Sequence, residues 1–79
     1  MNNLTTLMSK IESLLFVIGE DGLTLHQLAQ LIDSEPTELQ EALSELKARY
    51  DHDEARGIML KELAGTYQLA TKKENASYL

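Results

Sequence analysis

Leu4, Leu7, Met8, Ile11, Leu14, Leu15 and Ile18 recur at i, i+3, i+4 and i+7, so the spacing predicts a helix over 4–18 with one apolar stripe. Phe16 and Val17 break the rhythm. At about 100° per residue they fall on the flanks of the stripe. The second half of this helix is therefore apolar nearly all round, and such a helix is usually buried on more than one side. A surface beyond the chain's own small core is expected to cover it. Gly19 stops the helix, and Gly22 closes a sharp turn over Gly19-Glu20-Asp21-Gly22.

A second helix opens at Thr24. Thr24-Leu25-His26-Gln27 matches the capping box, in which the Thr hydroxyl and the Gln amide satisfy backbone groups that the first turn leaves without partners. Leu25, Leu28, Ala29 and Ile32 form the buried face of a helix only about two turns long, which packing must hold because an isolated helix of that length is unstable in water. Asp33-Ser34-Glu35-Pro36 is the next break. Ser34 or Glu35 caps the third helix, and Pro36 fits its first turn, where no helical donor is needed. Leu39, Ala42, Leu43, Leu46 and Tyr50 give the third apolar stripe; Glu35 and Glu38 near its start and Lys47 and Arg49 near its end suit the helix dipole.

Asp51 to Arg56 is expected to be a charged loop, after which the period changes. Ile58–Leu63 and Thr66–Thr71 are two β-like runs around Ala64-Gly65, the pattern of a hairpin, with Ile58, Leu60, Tyr67 and Leu69 on one face and Met59 and Leu63 on the other. Residues 72–79 resemble the start of a fourth helix. Three helices and a hairpin in this order define the expected class: α+β, mainly helical, a winged helix with a three-helix helix-turn-helix core and a two-stranded β-hairpin wing. All 79 residues belong to one domain.

Composition narrows the function. A chain this short buries only about 60 % of its unfolded surface and needs a staple. Cysteine is absent, which excludes disulfides and thiolate zinc sites, and two distant histidines make a poor metal site. A partner chain is the remaining staple. Seven Lys and Arg stand against 13 Asp and Glu, a net charge of −6, which disfavours binding to a phosphate backbone. The longest apolar run, Leu14 to Ile18, is far short of the roughly 20 residues of a membrane span, and the first residues lack the basic and apolar regions of a secretory signal. Neither a Ser-His-carboxylate grouping, a Gly-rich phosphate loop nor a HExxH run occurs, so an enzyme has no residues to stand on and no cofactor is expected.

The run KIESLLFVIGEDGLTLHQLAQLI, Lys10 to Ile32, resembles the opening of the bacterial segregation and condensation protein B family. GIMLKELAGTYQLATK, Gly57 to Lys73, is similar to that family's wing, with Thr66 where the family often has a second Gly, and residues 75–79 are similar to the start of its next helix. The resemblance implies the first of two tandem winged-helix domains, with the second absent. It implies a non-enzymatic, dimerising subunit of the condensin-like complex that separates and compacts chromosomes. The implied partners are a second copy, the kleisin subunit (segregation and condensation protein A) and, through it, the structural-maintenance-of-chromosomes ATPase. The implied location is the cytoplasm, at the nucleoid.

The alternative for a winged helix is a DNA-binding transcription regulator. Its third helix would carry Arg, Lys, Asn or Gln into the major groove. Here Glu35, Glu38, Glu41 and Glu45 outnumber Lys47 and Arg49, and Gln40 alone resembles a base reader. Arg56, Lys61, Lys72 and Lys73 are diluted by Asp51, Asp53, Glu54, Glu62 and Glu74. Asp51-His52-Asp53-Glu54 lacks the spacing of a calcium loop. Strong direct nucleic-acid binding is not expected. Phe16 and Val17, with Met59 and Leu63 on the wing, are the candidate dimer residues.

Overall fold

A computed structural model describes residues 3–73 and 75. Its elements are α1 (Leu4–Ile18), a 3-10 turn (Gly19–Asp21), β1 (Leu23–Thr24), α2 (Leu25–Ile32), α3 (Pro36–His52), β2 (Ile58–Leu63) and β3 (Thr66–Thr71). The three helices pack on one face of an antiparallel sheet ordered β1-β3-β2.

Each helix starts and stops for a local reason. The Asn3 side chain accepts from Thr6 N–H at 2.8 Å and opens α1. Gly19, at φ 64°, ends it by returning its N–H to the Leu15 carbonyl. The capping box forms as expected: Gln27 N–H donates to Thr24 Oγ1 at 3.1 Å, and Thr24 N–H donates to Gln27 Oε1 at 2.9 Å. Asp33, left-handed at φ 60°, ends α2. Glu35 holds the cap position of α3 without a side-chain bond, leaving Pro36 to set the first turn. The expected charged loop is shorter than 51–56. Asp51 and His52 complete the last turn of α3, where Lys47 Nζ meets Asp51 Oδ2 at 2.8 Å and Asp53 N–H reaches the Arg49 carbonyl.

The wing holds the expected register. Ile58 pairs with Thr71, Leu60 with Leu69 and Glu62 with Tyr67, so Leu60 turns inward and Met59 and Leu63 outward. Its two-residue turn puts both Ala64 (φ 53°) and Gly65 (φ 80°) at positive φ, the pattern that matches strand twist in a tight hairpin. The sheet has one strand more than expected. Leu23 and Thr24 pair with Tyr67 and Thr66, so the wing is three-stranded. Two residues carry no readable period, and this strand exists only because Gly22 brings the chain against β3. A Cβ on Gly22 would lie 2.6 Å from the Tyr67 carbonyl oxygen, so only glycine permits the approach.

One apolar cluster joins the layers. Leu7, Ile11 and Leu15 of α1 meet Leu28 and Ile32 of α2, Leu39, Leu43, Leu46 and Tyr50 of α3, and Leu60 of β2. Two positions of the α1 stripe are less covered than its period suggested: Leu14 is half-buried, packed against the core cluster, and Ile18 is exposed. Lys72 follows β3 with its side chain buried, donating from Nζ to the Asp53 carbonyl at 3.0 Å. Of the expected fourth helix, Lys72 is not helical and Lys73 and Asn75 lie in a 3-10 turn; the rest falls outside the described residues.

Candidate assembly surface

Among the described residues, the last turn of α1 carries the most exposed large apolar side chains. Leu15 is fully buried, yet the next two residues, one and two steps of about 100° around the helix, are Phe16 at 75 % exposure and Val17 at 82 %. Two grooves flank Phe16. One, about 300 Å³, is lined by Phe16, Val17, Ile58 and Leu69 with Glu12, Ser13, Tyr50 and Arg56. The other, about 610 Å³, runs between the end of α1 and β3, from Gly19 and Glu20 to Gln68–Thr71. Ile58, expected to face the helices, sits at the rim with part of its side chain open.

The sequence candidates therefore fall into two places. Phe16 and Val17 adjoin Ile58 and Leu69 on the helical side of the sheet. Met59, half-buried, and Leu63, exposed, share the outer face of β2 with Lys61. Another exposed apolar residue, Leu31, stands beside Leu14 in a groove between α1 and α2. It escaped the sequence reading because Ile32 satisfied the helical period; its own place one step off the stripe was the available signal.

Behind Phe16 the site is held by a polar tie. The Tyr50 hydroxyl of α3 donates to the Glu12 carboxylate of α1. Burial first, then Glu12, push the Tyr50 hydroxyl far above the usual tyrosine range. Tyr67 is also raised, by burial and then by Glu62, and Asp51 is lowered, chiefly by its hydrogen bond from Lys47.

The same geometry argues against a groove-reading helix. On α3 the two cations are engaged by their own neighbours, Lys47 with Asp51 at 2.8 Å and Arg49 with Glu45 at 3.3 Å. Glu35, Glu38 and Glu41 are exposed. Arg56 faces Asp53 at 3.6 Å, and Lys72 is turned inward, so the basic residues near the wing form no continuous patch. Among the described residues no three His, Asp or Glu side chains converge as a metal site, and no helix is long and apolar enough to cross a membrane.

A helix-turn-helix of α2 and α3, backed by α1 and closed by a hairpin, defines a winged-helix domain, here with an apolar contact surface and an acidic third helix. The chain belongs to the segregation and condensation protein B family. The family model described as "Segregation and condensation complex subunit ScpB" matches residues 9–79. Segregation and condensation protein B of Streptococcus mutans serotype c is 47 % identical over 74 residues, 94 % of this chain and 37 % of that protein. The Geobacillus thermodenitrificans protein of the same name is 48 % identical over 69 residues, 87 % of this chain and 32 % of that one. The chain thus spans about a third of the length of these curated relatives. Among solved structures, a dimer of the ScpB N-terminal domain complexed with ScpA peptide matches with a TM-score of 0.90 at 40 % identity, covering all of this chain and 90 % of that one. ScpB from Mycobacterium tuberculosis shares the fold, with a TM-score of 0.89 at 20 % identity, over 99 % of this chain and 48 % of that one.

Proposed function

We propose that this chain is the N-terminal winged-helix domain of a ScpB-type subunit. It works without catalysing a reaction, as an assembly module of the chromosome segregation and condensation complex in the cytoplasm, at the nucleoid. It forms a homodimer and binds a kleisin of the ScpA type, which links it to the structural-maintenance-of-chromosomes ATPase. The observation that carries this reading is the exposed pair Phe16 and Val17 above a fully buried Leu15, in a domain whose relative is a dimer holding ScpA peptide. Apolar side chains this open, beside further apolar rim residues, mark contact surfaces. The dimer surface is placed on Phe16 and Val17 with Ile58; Met59 and Leu63, on the outer face of the wing, are assigned to its edge. The spent cations of α3 weigh against a DNA-binding regulator. Light scattering of the domain, alone and mixed with the ScpA protein of the same organism, tests the reading. A dimer that gains mass with ScpA is expected. A monomer that does not bind ScpA would refute it.

A further inference from the structure

The outer surface of α1 leads from Phe16 and Val17 to a second apolar place. Lys10, Ser13, Leu14 and Val17 stand at i, i+3, i+4 and i+7, so they share one face of the helix. α2 runs beside that face and sets Leu31 near Leu14, leaving a groove of about 370 Å³ between the two helices. Ile32, 8 % exposed, lies at its base, and Leu31, 60 % exposed, stands on its rim. α2 docks on the core through Leu28 and Ile32, so the fold does not depend on Leu31. On the α1 side the wall is low, made by Ser9 and Ser13. The Ser13 hydroxyl donates to the Ser9 carbonyl at 3.0 Å, so covering this face leaves that donor satisfied. Ser13 also lines the groove beside Phe16 and Val17, which makes the two apolar places continuous across α1.

We propose that the α1–α2 groove receives an amphipathic helix of the ScpA-type partner, its apolar stripe on Leu14 and Leu31 and an Asp or Glu at the Lys10 end. The proposal rests on the assembly reading above, which gives the domain two occupants, a second copy and a ScpA-type chain. A twofold dimer uses one and the same patch on both copies. With that patch at Phe16 and Ile58, the Leu31 groove is left for the other chain, and Val17 borders both. The groove is walled by helices whose backbone groups are paired internally, so it offers side chains and no ladder for a strand. A helix brings its own backbone bonds already made, whereas an extended segment would turn unpaired N–H and C=O groups onto leucines. Among the described residues Lys10 is the one ionisable side chain lining the groove, so charge complementarity places an acidic residue opposite it.

The test uses the ScpA protein of the same organism. Leu31→Glu is expected to weaken ScpA binding by about tenfold or more, with the dimer mass and the melting temperature unchanged. Leu31→Met, which keeps the apolar contact, is expected to bind like the unsubstituted domain. Should Leu31→Glu not fold, Leu31→Ser, which removes the apolar side chain without adding charge, takes its place. Amide hydrogen exchange of ScpA, free and bound, is expected to show consecutive amides slowed within one segment that carries apolar residues at helical spacing and an Asp or Glu. Unchanged ScpA affinity in Leu31→Glu would overturn the groove proposal and leave the assembly reading standing. A monomeric Leu31→Glu would give the groove to the second copy and overturn the proposal likewise. Protection of alternate amides only would overturn the helical occupant. Absence of ScpA binding to the unsubstituted domain would overturn both readings.

Discussion

Phe16→Glu separates self-association from folding. Phe16 is 75 % exposed in the single chain, so little of the domain's own packing depends on it. A Phe side chain offers roughly 200 Å², of which about 150 Å² is then free for a partner, worth up to about 4 kcal/mol at about 25 cal/mol per Å². In a twofold dimer the substitution occurs twice, because both copies present the same patch. Recovery of even about 3 kcal/mol in total would, at about 1.4 kcal/mol per tenfold, weaken a micromolar dimer more than a hundredfold. Glu in the last turn of α1 faces the negative end of the helix dipole, a cost of only about 0.3–1 kcal/mol to the fold. Light scattering at about 50 μM, with thermal melting alongside, is the assay; a folded monomer is the expected result. A folded dimer of unchanged strength would move the interface away from Phe16. A collapse of the melting transition would show that Phe16 serves the domain's own core, contrary to its exposure.

Leu28→Ala empties a fully buried position at the centre of the three-helix contact and should cost about 2–5 kcal/mol, read by chemical denaturation. Loss of that size approaches the whole stability of a domain this small. Ala64→Asn should stabilise by roughly 0.5–1 kcal/mol, since a left-handed Ala costs about 1–2 kcal/mol and Asn-Gly is a preferred pair for two positive φ values in a tight hairpin; the melting temperature reports it. In the fold Tyr50 holds its proton to higher pH than in the unfolded chain, so the unfolded state loses it first. The stability that this shift supplies is present below about pH 10 and falls as pH rises further, and Tyr50→Phe should show a shallower alkaline decline in denaturation experiments between about pH 9 and 12.

The local order of the chain was legible because each signal is carried by neighbours. Helical period placed α1 and the buried face of α3, Thr24 and Gln27 announced their own cap, and alternation around Ala64-Gly65 set the wing and its register. Phe16 and Val17 stood out by falling off a stripe, and their exposure follows from the same periodicity. The tertiary structure decided what depends on distant partners. β1 exists because Gly22 lets the chain touch Tyr67, a contact between positions 45 residues apart that no two-residue pattern encodes. Ile18 is exposed although its period matches the core, because period fixes the face of a helix and not how much packs against it. Lys72, a surface charge by type, is buried because β3 delivers it to the Asp53 carbonyl. Periodicity tells a side chain which face it occupies; only packing tells that face what lies opposite.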